Sequence, residues 1–237
     1  MTYLDVTLPT AAANLALDEA LLMQAENQGG EILRTWEWTT PAVVLGAAGK
    51  LAEDVDEDAC RRDGVPILRR SSGGGTVLLG KGCLCFSLVL AYDSAPELMH
   101  VASSYRYLLD LIAKALAARI PGIEPAGTSD LALDGRKFSG NSQQRKRGHL
   151  LHHGTVLYDF DRGLVECYLH LPARQPEYRR QRQHGDFLVN LPIKVEDLRQ
   201  CLRDIWQVKE TTSEWPEDMV QRLVDEKYSR VEWQRRR

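Results

Sequence analysis

Three short stretches of this chain carry groups able to do chemistry. In Arg69-Arg70-Ser71-Ser72-Gly73-Gly74-Gly75-Thr76-Val77, three consecutive glycines follow an apolar run. Backbone without side chains can approach a ligand closely, and N–H groups in such a bend form a concave site for carboxylate or phosphate oxygens. The stretch is not a Walker loop, because no Gly-Lys-Ser/Thr follows at the required spacing, nor is it the dinucleotide pattern G-x-G-x-x-G. The second stretch, Asp130 to Gln143, places Lys137 just past an Asp134-Gly135 turn. Taken alone, Lys137 reads as a surface lysine and Ser139-Gly140-Asn141 as a turn. The third stretch is His152-His153-Gly154-Thr155-Val156-Leu157, where a histidine pair opens an apolar strand. A packed, hydrogen-bonded histidine is the ordinary state there, and nothing nearby supplies a third ligand, so no protein-only metal site is expected.

The elements that must position these groups follow from periodicity and turn chemistry. Tyr3 to Leu8 alternates like a strand, and Thr10 then caps a helix through Ala16, Ala20 and Met23, with Leu15 and Leu22 on its buried face. Ile32 to Trp38 and Ala42 to Leu45 read as strands around Thr40-Pro41, followed by a short acidic helix from Glu53 to Arg62 and a strand from Val65 to Arg70. Thr76 to Leu79 and Leu84 to Leu90, separated by Gly80-Lys81-Gly82, carry a hairpin signature. His100 to Arg119 has apolar residues at helical spacing and is expected to be the longest core helix. Asp134-Gly135 predicts a two-residue hairpin turn, with Lys137 to Gly140 beginning the return strand. Gly154 to Tyr158 is a further strand, and helices at Val195 to Trp206 and Pro216 to Tyr228 close the chain. Strands in hairpins mixed with long helices, without regular alternation, predict an α+β fold with a mixed, mostly antiparallel sheet flanked by helices.

Bulk properties exclude several classes. The 237 residues are 43% hydrophobic and 27% charged, an ordinary globular composition that predicts one domain over 1–237 with C-terminal helices at about 194–230 and no accessory domain. Thirty basic against thirty-three acidic residues argue against a nucleic-acid partner. Arg179, Arg180 and Arg182, and the terminal Arg235, Arg236 and Arg237, are local basic runs that read as solvated faces or as docking points for an acidic partner. With neither a signal-like N-terminus nor an apolar stretch of membrane-spanning length, a cytoplasmic protein without membrane association is expected. The cysteines Cys60, Cys83, Cys85, Cys167 and Cys201 are odd in number and lack zinc-ligand spacing, as expected of reduced thiols. Cys83 and Cys85 flank Leu84 and are expected to pack in a strand.

Jointly, and in this order, the three stretches resemble the catalytic domain of lipoate-protein ligase A and its octanoyltransferase relatives in the biotin/lipoate ligase superfamily. The resemblance runs from Asn14-Leu15-Ala16-Leu17-Asp18-Glu19-Ala20 to about Leu171. It implies a class II aminoacyl-tRNA-synthetase/biotin-ligase-like fold with an acyl tunnel lined by the glycine loop and strand residues. On that resemblance, Lys137 is the catalytic group, contacting the acyl carboxylate and then the carbonyl and phosphate oxygens of an acyl-adenylate. Arg70, Ser72, Gly73, Gly74 and Gly75 would bind substrate from the loop, and Ser139, Gly140, His153, Gly154 and Thr155 from the two later motifs. Asp130 and Lys137 would hold nucleotide and Mg²⁺. Val77, Leu79 and Val156 are candidates for the tunnel lining, since each buried CH₂ of a medium chain gains about 0.8 kcal/mol.

The implied activity is ATP- and Mg²⁺-dependent ligation of lipoate or octanoate to a lysine of a carrier: the H-protein of glycine cleavage, a dehydrogenase lipoyl domain or a lipoate-binding protein. Three departures bear on it. Leu79-Gly80 replaces the family's usual histidine-aspartate pair, Thr128-Ser129-Asp130 replaces Arg-Asn-Asp, and the chain ends soon after its last helix, which points to a separate accessory subunit. The competing activity is an octanoyl or lipoyl transferase working through a cysteine thioester, which needs a reactive thiolate near Lys137. Glu124 and its neighbours offer no cysteine before Asp130, which leaves Cys167 as the candidate. A third reading is a lipoyl-carrier-binding protein without catalysis.

Overall fold

The computed structural model describes residues 1–236, so Arg237 of the terminal basic run lies outside the described residues. Among them are eleven strands and nine α-helices, without regular alternation. These are β1 (Thr2–Asp5), α1 (Ala11–Gln28), β2 (Ile32–Glu37), β3 (Ala42–Leu45), α2 (Leu51–Asp54), α3 (Glu57–Asp63), β4 (Ile67–Arg69), β5 (Val77–Leu79) and β6 (Cys83–Ala91). There follow α4 (Val101–Ala117), β7 (Ile123–Ala126), β8 (Asp130–Leu133), β9 (Arg136–Arg145), β10 (His149–Leu157), α5 (Gly163–Tyr168) and α6 (His184–Phe187). The chain finishes with α7 (Val195–Ile205), β11 (Glu210–Thr212), α8 (Glu217–Leu223) and α9 (Val231–Gln234).

Eight strands form one sheet in the order β11-β1-β2-β6-β10-β9-β8-β7, and β4-β3-β5 form a second. Only the pairs of β1 with β2 and β11 are parallel in the large sheet. The expected α+β architecture, with a mixed and mostly antiparallel sheet, is therefore the one observed. One face of the large sheet packs on α1 and the small sheet, through residues such as Cys83, Cys85, Trp36 and Leu151. The other packs on α4 and α7, through Leu84, Phe86, Leu88, Phe138 and Val156. Successive residues of a strand point to opposite faces, so β6 is apolar on both and its first eight residues are all buried.

Helix α1 starts where Thr10 accepts from the Ala13 N–H at 3.0 Å. It is buried nearly all round, because the sheet lies on one side and α8 with the following turn of π-helix, Val224–Tyr228, on the other. At 18 residues it is one longer than α4, so the helix expected to be longest is the second. The acidic stretch expected to be one helix is two, because Asp56 stops α2 and caps α3 by accepting from Ala59 N–H at 2.8 Å.

The hairpin expected of β5 and β6 does not form. β5 pairs with β3 in the small sheet, while both edges of β6 are taken by β2 and β10. Gly82 is the corner: at φ +81°, it packs so tightly that a Cβ would lie 2.0 Å from the Asp159 carbonyl oxygen. The Asp134-Gly135 turn forms as expected, with φ of 49° and 70°. The return strand β9 is ten residues long, so Ser139-Gly140-Asn141 lies within a strand and is no turn. β10 likewise starts at His149, four residues before His153, so the histidines sit mid-strand and face opposite sides.

Candidate functional site: a two-chambered cleft at Lys137

Register builds the site. Directly paired residues share a face, so Trp36, Cys85, Thr155, Gly140 and Asp130 form one row across β2, β6, β10, β9 and β8. The next row is Arg34, Ser87, His153 and Ser142. The first row floors an inner cavity of about 120 Å³, roofed by Val44, Val77 and Leu79 of the small sheet and by Leu15 of α1. The expected tunnel residues Val77 and Leu79 are in its wall. Val156 is not: one residue beyond Thr155, it turns to the α4 side, where it is fully buried.

Lys137 stands where this cavity meets a second chamber of about 450 Å³. Gly75, Thr76, Asp130, Gly140 and Thr155 line both. The Lys137 Nζ is 2.7 Å from Asp130 Oδ1 and its side chain is 26% exposed, so the ammonium faces the cleft and not bulk water. It passes over Gly140, where a Cβ would lie 2.8 Å from Nζ. Tyr178 donates to the other Asp130 oxygen at 2.8 Å. Burial, and then that carboxylate, push the Tyr178 phenol up, so it stays a donor at neutral pH.

The glycine loop is shaped by the two arginines before it. Arg70 donates from Nη2 to the carbonyls of Gly73 at 2.5 Å and Gly75 at 2.9 Å, and from Nε to Ser72 Oγ at 3.0 Å. In a planar trans peptide the N–H opposes the C=O, so the N–H groups of Gly74 and Thr76 turn away from Arg70. Arg70 faces no carboxylate, and burial pushes its guanidinium down to about 10, which leaves it charged at neutral pH. Its charge therefore favours an anion in the cavity it lines. Arg69 reaches the other way, donating to the carbonyls of Gly46 at 2.9 Å, Gly49 at 2.7 Å and Gln234 at 3.0 Å. Trp233 donates back to the Arg69 carbonyl at 2.8 Å, so the C-terminal helix braces the loop.

Of the three glycines, Gly74 alone is required by the fold itself: it has φ +83°, and a Cβ there would press on Arg70 at 2.9 Å. Gly73 and Gly75 have open space beside them. Gly46 is a hidden member of the loop, since its Cβ would fall 2.0 Å from the Gly74 carbonyl oxygen. Gly46→Ala is expected to push the loop off its position and to cost about 1–3 kcal/mol of stability, as overpacking commonly does, which urea unfolding would register.

His153 ties the loop to α1. Asp18 Oδ2 lies 3.3 Å from its Nδ1 and Ser72 Oγ lies 2.6 Å from its Nε2. With the proton on Nδ1, the ring donates to Asp18 and accepts from Ser72, while Ser72 accepts from Arg70. The connectivity is that of a serine-histidine-aspartate triad, but Ser72 is 1% exposed and lines neither chamber, so its hydroxyl is a brace and not a nucleophile. Gly73 also lines neither chamber; it is exposed, and its carbonyl accepts from Ser142 at 2.8 Å. Burial strongly favours the neutral form of Asp18, yet Arg34 at 2.6 Å, and then His153, hold its carboxyl below the usual range. His152 points to the other face, and burial pushes it down to about 3.

The expected site residues are thus brought together, with two qualifications of place. Arg70, Gly74, Gly75, Gly140, His153, Gly154, Thr155, Asp130 and Lys137 line the cleft, and Ser139 lines the outer chamber, whereas Ser72 and Gly73 line neither chamber. Leu79-Gly80 packs under Phe160, whose ring would lie 3.2 Å from a Cβ on Gly80. Sequence reasoning missed Tyr178, Trp36 and the role of Asp18, although an aspartate inside the apolar run Leu15-Ala16-Leu17-Asp18-Glu19-Ala20 was a signal for a buried acid with a partner.

The basic run at 179–182 is not a solvated face. Arg179 is 4% exposed with its guanidinium over the Phe187 ring at 4.6 Å, and Arg182 donates to the carbonyls of Gly135 and Tyr178 at 2.8 Å. Only Arg180 of the three is exposed. At the chain end, Arg235 pairs with Glu57 at 2.8 Å and Arg236 stacks on Trp233 at 3.9 Å.

Residues 10–217 match the sequence family described as the lipoyl protein ligase A/B catalytic domain. The chain belongs to this family. Among relatives of this ligase family, an octanoyltransferase LipM of Lysinibacillus sphaericus is 26% identical, with 93% of each chain covered. Another LipM, of Carboxydothermus hydrogenoformans, is 31% identical over 67% of this chain and 65% of its own. A bipartite lipoate protein ligase of Thermoplasma acidophilum, solved with its E2 lipoyl domain, shares the fold at a TM-score of 0.84, with 24% identity and 99% and 95% coverage. A lipoate-protein ligase A bound with ATP superimposes at 0.78, with 25% identity and 99% of each chain covered. The chain is thus an enzyme of the lipoate ligase and octanoyltransferase family. No helix among the described residues is long and apolar enough to cross a membrane, and no cluster of three or more metal-ligating side chains occurs among them.

Proposed function

We propose that this enzyme activates lipoate or octanoate with ATP as an acyl-adenylate and passes the acyl group to a lysine of a lipoyl-carrier domain. The observation that carries the reading is the lack of a usable thiol at the cleft among the described residues. Cys85 is the one cysteine in either chamber's wall, and burial first, then hydrogen bonding with Cys83, raises its thiol well above the usual range. Cys167 is exposed on α5, outside both walls, with its Sγ 3.5 Å from the Gly163 carbonyl oxygen. A thioester route needs a thiolate beside the reacting carbonyl.

In the proposed reaction the acid's carboxylate meets the Lys137 ammonium over Gly140, with Arg70 behind and the N–H groups of Gly74 and Thr76 beside it. These fixed positive groups stabilise the charge that grows on carbonyl and phosphate oxygens during attack. The outer chamber suits a polyanion: Arg174, Arg179 and Lys137 face it against Asp54 and Asp130. Asp130 is the carboxylate that would hold Mg²⁺, an ion commonly bound by one or two carboxylates together with the nucleotide's own phosphates. Bound ATP would offer its α-phosphorus to the carboxylate oxygen, with pyrophosphate leaving, and Mg²⁺ would neutralise the phosphate oxygens. The carrier lysine attacks the acyl carbon as a free amine, forming the amide and releasing AMP and a proton, and the apolar walls of the inner cavity, Leu15, Val44, Val77 and Leu79, keep the acyl chain away from bulk water. One catalytic unit over 1–237, served by a separate accessory polypeptide, is part of the proposal.

The second reading, an octanoyltransferase acting through Cys167, is favoured by the names of the LipM relatives. ATP–pyrophosphate exchange with each acid, with and without an accessory protein, separates the two. Exchange is expected, and Cys167→Ala is expected to keep at least half of the wild-type rate of carrier acylation read by mass spectrometry. Absent exchange together with a hydroxylamine-labile acyl group on Cys167 would overturn the ligase reading. Absence of both exchange and transfer would leave the carrier-binding reading.

A further inference from the structure

The row Gly140, Thr155, Cys85, Trp36 is a ruler laid across four adjacent strands, and we infer that Cys85 is the residue that sets acyl chain length. The inference rests on the functional reading above and names the size of acid that it admits. Strands lie about 4.8 Å apart, so Cys85 on β6 is two steps, or about 10 Å, from Gly140 on β9. The carboxylate end is fixed at Gly140, because the Lys137 ammonium lies directly over it. An eight-carbon acid has seven C–C bonds of about 1.5 Å, which span about 9 Å when extended in zigzag. Its middle carbons therefore cross Thr155 and its last carbon reaches Cys85.

Three further observations support a stop at that point. Trp36, the next residue of the row, is 2% exposed and closes the floor one strand beyond. Val44, Leu79 and Leu15, from the elements packed on this face, line the same cavity and cover the row from above. The neighbouring row is polar, with Arg34 and His153 locked to Asp18 and Ser87 between them, which disfavours a sideways bend of an alkyl chain. Cys85 is the smallest of these end-wall side chains, and its depth is what an eight-carbon acid needs. Lipoate and octanoate have the same backbone length, so the ruler admits both; longer acids meet the wall and shorter ones leave it empty.

The test is a chain-length profile. Hexanoate, octanoate, decanoate and lipoate are offered to the wild type, Cys85→Ala and Cys85→Leu, reading both calorimetric binding and kcat/KM for carrier acylation. Each buried methylene is worth a factor of about four, so filling the space of two with Cys85→Leu is expected to lower the octanoate-to-hexanoate preference about 15-fold. Cys85→Ala is expected to keep octanoate and to raise decanoate severalfold, and it serves as the readable variant if Cys85→Leu does not fold. A wild type that takes octanoate, with either folded variant keeping the same profile, overturns the ruler and leaves the functional reading standing. A wild type that neither binds nor turns over any of the four acids overturns both.

Discussion

Lys137→Ala is expected to lower carrier acylation roughly 10²–10³-fold, the cost commonly found for removing one preorganised group that stabilises charge in the transition state. The residue stands at the junction of the two chambers, so its loss removes the cation common to both. The global fold should survive, because the side chain is 26% exposed and its one ion-pair partner, Asp130, keeps the bond from Tyr178. Single-turnover acylation read by mass spectrometry, beside a thermal melt, makes the check. A folded variant with the wild-type rate would remove Lys137 from the chemistry. Lys137→Arg should not rescue: the longer, planar guanidinium would not fit the close passage over Gly140.

Arg34→Ala carries the largest expected effect on stability, about 3–5 kcal/mol, because it leaves a buried carboxylate without its main partner. Arg34 is fully buried, and it donates to Asp18 at 2.6 Å, to the Asn14 side chain at 2.6 Å and to the Val6 carbonyl at 3.0 Å. The pH dependence follows from Asp18, whose carboxyl burial would raise but Arg34 and His153 hold below 3.8. A depressed acid contributes stability above its unfolded pKa, and that stability is lost as pH falls through the lower folded value. The wild type should therefore keep this contribution down to about pH 4. Without Arg34 the burial effect dominates, Asp18 rises, and the variant should be weakened at pH 7 and recover relative to wild type as the carboxyl protonates. Urea unfolding at pH 7 and pH 4.5 measures both differences; an equal loss at the two values would mean that packing, and not the charge, carries the effect. Because Asp18 also orients His153 and through it Ser72, the same variant should bind acid more weakly than its stability alone explains.

Some of this was legible before any coordinate. The three motifs named the loop, the lysine and the strand that surround the cleft only when read jointly through their family resemblance, because singly a glycine run, a lysine after a tight turn and a His-Gly pair have ordinary structural readings. The helix starting after Thr10 and the Asp134-Gly135 turn were equally readable, since a cap and a two-residue turn are local events. The β5–β6 hairpin was misread for the converse reason. Strand partners are chosen by what lies across the sheet, and β6 found two better edges in β2 and β10. Ser139-Gly140-Asn141 looked like a turn because its small polar residues mimic one; in the sheet, Gly140 makes room for the Lys137 side chain instead.

Residue type and local spacing determined the class of fold, while the family and the choice of Lys137 as the working cation came only through the resemblance carried jointly by the three motifs. Only the tertiary structure decided which of the neighbours act. Arg182 proved to hold a loop, Ser72 to stand behind the wall, and Val156 to face the opposite core. It also joined Trp36, Cys85, Thr155 and Gly140, residues up to 119 positions apart, into one row. The physical reason is that strand register sets which side chains share a face. A shift of one residue would send every member of that row to the other side of the sheet, and nothing in a local stretch of sequence specifies the partner strand.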